Sequence, residues 1–278
     1  MNYRHAYHAG NFADVVKHLA LVAALRHLKK KEASFAVIDT HAGRGLYDLE
    51  SDETGKTGEA EAGILRLARL RDPPLLVSEY LILARAFGAR RYPGSPLIAA
   101  QMLRTQDRLT AIEKHEEEAR TLTRVLAAYP RARALEADGY ERLAALLPPA
   151  ERRGLVLIDP PYEATDEFVR AEQALAQAHR RFANGIYLLW FPIKSQSVAD
   201  SFCGEVLTAG MAKVLRIDID VGSPPGDDKD RLHAAGLLVV NPPFGLDTEM
   251  QSALRIVAPL LGTAGRPAAF AVEWLAGG

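Results

Sequence analysis

The stretch GLVLIDPPYE, residues 154–163, places an acid, two prolines and a tyrosine directly after an apolar run. The apolar residues before Asp159 are typical of a buried strand. A proline has no N–H to donate to a sheet ladder, so the strand is predicted to end at Asp159, where a rigid corner follows. A related stretch, VVNPPFG, occurs at residues 239–245.

Strand-like and helical patterns alternate along the rest of the chain. Strands are predicted at Phe35–Asp39, Leu109–Glu113, Ala132–Ala137, Leu155–Asp159, Ile186–Phe191, Val214–Val221 and Leu237–Val240. Helices are predicted at Phe12–Lys30, Glu59–Leu70, Leu75–Phe87, Pro96–Leu103, Glu116–Ala127, Glu167–Phe182 and Thr248–Leu261. This alternation indicates an α/β fold with a mainly parallel, seven-stranded sheet and helices on both faces.

The interval between the first two predicted strands is unusually long. It spans about 70 residues, far more than one crossover helix needs. We therefore expect residues 47–93 to form a small helical insertion within a single domain of residues 1–278. The helix predicted at Pro96–Leu103 would be the crossover itself.

Composition and charge limit the classes of protein to which the chain can belong. The chain has 278 residues, a net charge of −1 and 48% hydrophobic residues, as expected of an ordinary globular protein. Residues 61–110 hold eight arginines and four acids. Such a local basic surface would suit a phosphate backbone, although solvated helix faces have the same composition.

Several classes of site are not expected. Cys203 is the single cysteine, which excludes a disulfide framework and suits a reducing compartment. No apolar run reaches membrane length, and the opening residues do not resemble a signal peptide. The histidines near the start lack acidic or cysteine partners at metal-binding spacing. The chain is therefore expected to be a cytoplasmic monomer with no metal and no membrane partner.

Acids and glycines follow four successive predicted strands. The loop IDTHAGRG after the first strand contains Gly43, the second strand ends at Glu113, Asp138 and Gly139 follow the third, and Asp159 ends the fourth. Ligands of open α/β sheets bind at the carboxyl ends of strands, where such acids can accept hydrogen bonds from a ribose diol or an adenine amine. Asp and Gly also terminate strands for purely structural reasons, but the ordered series favours a nucleotide pocket.

These motifs resemble the class I S-adenosylmethionine-dependent methyltransferases that carry an Asp/Asn-Pro-Pro-Tyr/Phe motif, except that His41 replaces the first glycine of their loop. A closer resemblance covers nearly the whole chain. The stretches YRHAYHAGNFADVVKH, DTHAGRG, YPGSPLIA, ADGY, RRGLVLIDPPYE and NPPF are similar to the RlmJ family of bacterial 23S rRNA adenine-N6 methyltransferases. The resemblance implies a Rossmann-like class I fold and methylation of one adenine, 2030 in the family's usual rRNA numbering.

The same resemblance implies roles for individual residues. Asp159 would be the catalytic acid, and Tyr3 and His5 would face the RNA. The S-adenosylmethionine pocket would be formed by Lys17, His18, His41, Gly43, Ser95, Glu113, Asp138, Gly139 and Asp159.

The chemistry of adenine N6 agrees with the corner at Asp159. The lone pair of this amine is delocalised into the ring, so two acceptors aimed at its two hydrogens would help to localise the lone pair toward a methyl group. Asp159 offers a carboxylate oxygen and Pro160 a rigidly held carbonyl. Tyr162 offers a flat face for an extruded base, worth roughly 1–3 kcal/mol.

Alternative interpretations remain at this point. Asn241 begins a similar Asn-Pro-Pro-Phe corner, but it ends the last predicted strand and is expected to close the edge of the sheet. Adenine in DNA or a glutamine side-chain amide would suit the same catalytic corner as adenine in RNA. A non-catalytic RNA-binding module is a further alternative from a different class.

Overall fold

The computed structural model describes residues 9–50, 58–223, 231–263 and 266–278, so Tyr3 and His5 lie outside the described residues. The helices are α1 (Phe12–Lys29), α2 (Glu59–Ala62), α3 (Ile64–Leu67), α4 (Leu75–Arg85), α5 (Ser95–Met102), α6 (Glu116–Leu126), α7 (Gly139–Leu146), α8 (Glu167–Arg181), α9 (Gln196–Thr208) and α10 (Leu246–Leu261). The strands are β1 (Ala36–Asp39), β2 (Leu46–Asp48), β3 (Arg91–Pro93), β4 (Arg108–Glu113), β5 (Ala132–Glu136), β6 (Gly154–Ile158), β7 (Ile186–Pro192), β8 (Val214–Asp220), β9 (Ala234–Val240) and β10 (Ala269–Ala276).

The central sheet has eight strands in the order β10-β8-β9-β7-β6-β1-β4-β5. Strands β5, β4, β1, β6 and β7 pair in parallel, and the sheet continues through antiparallel pairs of β7 with β9, β9 with β8 and β8 with β10. After β1 the chain adds β4 and β5 on one side of β1, and then β6 and β7 on the other side. This switch point opens a crevice at the carboxyl ends of the three strands.

The sequence prediction of a mainly parallel α/β sheet is confirmed, but the predicted strand number is wrong. The eighth strand of the main sheet, β10, pairs only with β8 and is partly exposed along its length. Its sequence, AFAVEWLA, contains three alanines, a residue depleted in strands. An edge strand of this composition therefore gave no clear signal.

Helix α1 is buried around nearly its whole circumference, because every residue from Phe12 to Leu25 is buried. It lies between the sheet and the helices α4, α5 and α10. Its first turn is capped by Asn11, whose side chain accepts a hydrogen bond from the backbone N–H of Asp14 at 2.9 Å. The opposite face of the sheet is covered by α7, α8 and α9. Because α1 is an interior helix, its polar side chains can reach the sheet from within the core.

The predicted insertion, residues 47–93, holds the helices α2, α3 and α4. Its two ends are joined by an antiparallel pair of short strands, β2 and β3. Leu67 and Tyr80 of this interval pack into the same core as α1. The single helix predicted over Glu59–Leu70 is instead two short helices, because Gly63 at their junction lies against the backbone of Gly10. A Cβ atom on Gly63 would be 2.0 Å from the Gly10 carbonyl oxygen.

Candidate active site

The carboxyl ends of β1, β4, β5 and β6 bring the predicted site residues to one edge of the sheet. The approach is closest between the loop after β1 and the start of α7. A Cβ atom on Gly139 would lie 2.0 Å from the carbonyl oxygen of Thr40. Only glycine permits this approach, so Gly139 lets the loop after β5 pack directly on the loop after β1.

Asp159, which follows β6, forms an ion pair with Lys17 of α1. The Lys17 ammonium donates to Asp159 Oδ2 through a short hydrogen bond and to Asp14 Oδ1 at 2.7 Å. All three side chains are largely buried, Asp159 being the most exposed at 12%. Burial alone would lower the pKa of Lys17, but the charges of Asp14 and Asp159 outweigh it and raise the pKa well above its usual range. Lys17 is therefore a permanent cation that holds Asp159 in place.

Asp39, at the end of β1, is a second buried acid beside this ion pair. Ser95 donates its hydroxyl hydrogen to Asp39 Oδ2 at 2.6 Å, and the backbone N–H of His41 donates to Oδ1 at 3.3 Å. Burial raises the pKa of Asp39 to about 6, and the charge of Asp159 adds to the rise, while the bond from Ser95 opposes it. No role was assigned to Asp39 from the sequence, although its place at the end of the first strand matches the other acids of the series.

Glu113, at the end of β4, ties the glycine loop to the sheet. Its Oε2 accepts a hydrogen bond from the backbone N–H of Gly43 at 2.9 Å, and its Oε1 accepts one from the backbone N–H of His115 at 2.7 Å. The side chain is 8% exposed. Gly43 has φ of +60°, a conformation that favours glycine. Glu113 thus fixes the loop while keeping lone pairs for a further donor.

Asp138 is the N-cap of α7. Its Oδ1 accepts from the backbone N–H groups of Tyr140 and Glu141, at 3.0 and 3.3 Å. Its Oδ2 accepts from Lys114 at 3.0 Å and from Arg170 at 3.5 Å. Burial would raise the pKa of Asp138, but the bond from Lys114 and the backbone donors outweigh it and lower the pKa. Asp138 is therefore a carboxylate with structural partners, which an adenine amine would join or displace.

His41 lies close enough to Asp138 and Asp159 for the charges of both acids to act on it. Its ring packs edge-on against Tyr140, with centroids 4.9 Å apart, and Arg170 lies 4.8 Å above the Tyr140 ring. Burial lowers the pKa of His41 to about 4 against the opposing charges of the two acids. The imidazole is thus neutral near pH 7. Tyr140 and Arg170 thus pack beside His41, and neither was assigned a role from the sequence.

The corner after Asp159 is strained and anchored. Tyr162 has φ of +51°, which costs a non-glycine residue roughly 1–3 kcal/mol. Its hydroxyl donates to the carbonyl oxygen of Trp190 at 2.9 Å, and its ring packs against Phe168 at 4.7 Å between centroids. Pro160 is buried and Tyr162 half-buried. The anchoring fixes the plane of the tyrosine ring next to the acid.

The second proline corner lies at the other end of the sheet. Because β9 runs antiparallel to β7, Val240 pairs with Tyr187 near the start of β7, and Asn241 follows on the edge opposite Asp159. Asn241 donates its side-chain N–H groups to the carbonyl oxygens of Ala183 and Gly185, at 2.8 and 2.7 Å. The expectation that Asn241 closes the edge of the sheet is wrong, because β9 lies between β7 and β8. Asn241 instead ties two loops together.

The structure thus pairs Lys17 with Asp159 and Ser95 with Asp39, and the charges of Lys17 and Asp159 act on Asp39. Nearby at the same edge of the sheet are the other predicted residues, His41, Gly43, Glu113, Asp138 and Gly139. His18, the residue after Lys17 on α1, is buried and hydrogen-bonded to the hydroxyl of Tyr92. Within the described ranges, no group of three or more His, Cys, Asp or Glu side chains is placed to hold a metal ion. No helix in the part of the chain that the structure describes is long and apolar enough to cross a membrane.

Comparisons with known proteins identify relatives of this chain. A family model described as "Ribosomal RNA large subunit methyltransferase D, RlmJ" matches residues 32–276. The chain is 38% identical over 279 residues to Ribosomal RNA large subunit methyltransferase J of Escherichia coli, and 37% identical over 280 residues to the protein of the same name in Haemophilus influenzae, each match covering 99% of both chains. A crystal structure of a Legionella pneumophila protein superposes with a TM-score of 0.87 at 31% identity, covering 96% of this chain and 98% of that one.

Proposed function

The chain belongs to the RlmJ family of ribosomal RNA large subunit methyltransferases, and we propose that it transfers a methyl group from S-adenosylmethionine to the N6 amine of one adenine in 23S rRNA. The observation that carries this proposal is the carboxylate of Asp159, held by Lys17 at the carboxyl end of β6. The acceptor adenine would be the one at position 2030 in the family's usual rRNA numbering.

The residues around the crevice fit this methyl donor. S-adenosylmethionine carries hydrogen-bond donors on its ammonium, its ribose diol and its adenine amine. Three acids, Asp39, Glu113 and Asp138, stand at the ends of three neighbouring strands and offer acceptors for these groups. We assign the pocket to these acids together with His18, His41, Gly43, Ser95 and Gly139. When bound, the cofactor would supply an electrophilic methyl group on a sulfonium.

The chain's own residues would orient the adenine amine. Lys17 binds Oδ2 of Asp159, which leaves Oδ1 to accept a hydrogen from the amine, and the Pro160 carbonyl would accept the other. Tyr162, fixed through its bond to Trp190, would stack on the extruded base. Once methylated, the amine would lose one proton, to Asp159 or to water. Orientation of this kind supplies a large part of many rate enhancements.

RNA contacts are proposed outside the crevice. Tyr3 and His5 would lie against the substrate, and we treat residues 47–93 as an insertion within a single domain that adds a basic surface. Arg69, Arg90 and Arg91 are exposed there. Since the substrate is ribosomal RNA, we expect the protein to act in the cytoplasm, and we expect a monomer.

The test is methyl transfer from labelled S-adenosylmethionine to 23S rRNA that lacks the modification, followed by mapping of the modified base. We expect a single N6-methyladenine. Labelled DNA or labelled protein instead of RNA would favour the DNA adenine or glutamine amide alternative. Cofactor binding with no transfer to any of these substrates would favour a non-catalytic RNA-binding module.

A further inference from the structure

Three buried side chains form a hydrogen-bonded chain between α1 and the 47–93 interval. The Nδ1 atom of His18 lies 2.6 Å from the hydroxyl oxygen of Tyr92, which lies 2.9 Å from the hydroxyl oxygen of Tyr80. None of the three residues is more than 1% exposed. The His18 ring also stacks on Tyr92, with centroids 5.6 Å apart. Groups this deeply buried must satisfy one another's hydrogen bonds.

The donor and the acceptor in each of these two hydrogen bonds follow from the number of hydrogens that the three side chains carry. Burial raises the pKa of both tyrosines well above the usual range, so each hydroxyl keeps its single hydrogen. Tyr92 is the sole hydrogen-bond partner of Tyr80 among the residues that the structure describes. If Tyr80 accepted from Tyr92, its own buried O–H would have no acceptor, an arrangement disfavoured by roughly tenfold or more. Tyr80 therefore donates to Tyr92, and Tyr92 donates to Nδ1 of His18.

A neutral imidazole that accepts at Nδ1 carries its hydrogen on Nε2. We propose that Tyr92 is a positioning residue that fixes His18 as the Nε2–H tautomer, so that His18 presents a hydrogen-bond donor to an acceptor atom of the methyl donor. This inference rests on the proposed function, in which His18 contacts S-adenosylmethionine.

Tyr92 links the 47–93 interval to the proposed cofactor pocket. Tyr92 belongs to β3, the strand that closes the 47–93 interval, and Ser95, which donates to Asp39, begins the next helix. Residues 92–95 thus act on two hydrogen-bond donors. Ser95 supplies its own hydroxyl, and Tyr92 fixes the N–H of His18 on Nε2. The interval is thereby coupled to the cofactor pocket through hydrogen bonds as well as through packing.

The test compares Tyr92→Phe with Tyr80→Phe in the full chain. Each variant removes one buried hydroxyl, but in Tyr80→Phe the Tyr92 hydroxyl still donates to His18. The tautomer is measured by ¹⁵N NMR of histidine-labelled protein, with the His18 signal identified by its loss in His18→Gln. We expect the Nε2–H form in the wild type and in Tyr80→Phe, and a shift toward the Nδ1–H form in Tyr92→Phe. Calorimetry with S-adenosylmethionine should show a Kd raised roughly 5- to 10-fold in Tyr92→Phe and within about twofold of wild type in Tyr80→Phe.

Two results would overturn the inference. One is a wild-type His18 that carries its hydrogen on Nδ1, which needs no variant to observe. The other is an unchanged tautomer or an unchanged Kd in folded Tyr92→Phe. Failure of the proposed function looks different, because the wild type would then not methylate rRNA while the NMR signature of Tyr92 on His18 persisted.

Discussion

Lys17 and Asp159, 142 positions apart in the sequence, form an ion pair between the first helix and the corner after β6. Lys17 also binds Asp14 at 2.7 Å, so one ammonium pairs with two acids in the interior. The pair engages Oδ2 of Asp159. An acid at the end of a strand, otherwise free to rotate, thereby gains a fixed orientation toward the crevice.

Replacing Asp159 by alanine should abolish methyl transfer, with a loss of at least roughly 100-fold in kcat, because the acceptor for the amine is removed. Lys17 keeps Asp14 as a partner, so the protein should remain folded. Binding of S-adenosylmethionine, measured by calorimetry, should be largely retained because Glu113 and the glycine loop are untouched.

The matched control is Asn241→Ala, in the second proline corner. Asn241 bonds to the carbonyl oxygens of Ala183 and Gly185 on the opposite edge of the sheet. We expect this variant to lose some thermal stability and to keep its activity. A fast Asp159→Ala enzyme together with a slow Asn241→Ala enzyme would reverse the assignment of the two corners.

Asp39 predicts a specific pH dependence of stability. Burial raises its pKa from 3.8 to about 6, so the folded state binds this proton more tightly than the unfolded state. The resulting stabilisation is fully present below about pH 4 and is lost as the pH rises through about 6, in total about 3 kcal/mol. Asp39→Asn does not titrate. Urea unfolding should therefore show the wild type losing stability relative to Asp39→Asn between pH 4 and 6, with a constant difference above pH 7.

The exposed carboxylate of Asp166 supplies the control. The stability difference between the wild type and Asp166→Asn should change little over the same range. If the difference for Asp39→Asn were equally flat, Asp39 would not be a buried acid with a raised pKa.

The parts of the site that follow from local sequence were predictable. Strands end where prolines and acids stop the ladder, so Glu113 and Asp159 could be placed at the carboxyl ends of parallel strands from their spacing alone. The resemblance added Lys17 and His18. Their chemical partners depend instead on how a buried helix is docked against the sheet, and no local pattern carries that information.

Other features could not be predicted from the sequence, because they too depend on contacts between distant parts of the chain. The edge strand β10 is defined by its pairing with β8, and its alanines give little propensity of their own. Arg170 reaches Tyr140 and Asp138 from α8, a contact that depends on helix packing. The break at Gly63 depends on the backbone of Gly10, 53 positions earlier in the sequence.

Glu113 should be more important for the methyl donor than for RNA. Glu113→Gln keeps the shape of the side chain but leaves one of its two backbone donors, on Gly43 or His115, without a carboxylate oxygen. The cofactor hydroxyl that Glu113 would accept from also loses a carboxylate acceptor, and an unpaired buried donor costs roughly 1–3 kcal/mol, so calorimetry should show weaker binding of S-adenosylmethionine by about one order of magnitude. RNA affinity should be unchanged. Glu117→Gln, on the exposed side of α6, is the control and should bind the cofactor normally.

Asp138→Asn should act in the same direction as Glu113→Gln. Asparagine can still cap α7, so the loss would reflect the charge that faces Lys114, Arg170 and the pocket. Unchanged cofactor affinity in both the Glu113 and the Asp138 variant would remove the basis for a nucleotide pocket at these strand ends.

Variants of arginines in residues 47–93 should distinguish side chains that contact RNA from side chains that stabilise the fold. Arg69 and Arg91 are exposed, whereas Arg66 donates to the carbonyl oxygens of Leu260 and Gly262, at 3.1 and 2.6 Å, at the end of α10. If Arg69 and Arg91 each contact a phosphate, changing either to glutamine should weaken RNA binding for all sequences and reduce the slope of log K against log salt by roughly 1. Arg66→Gln should lower the melting temperature and leave that slope unchanged. A reduced slope in Arg66→Gln, with none in the other two variants, would move the RNA surface from the insertion to the end of α10.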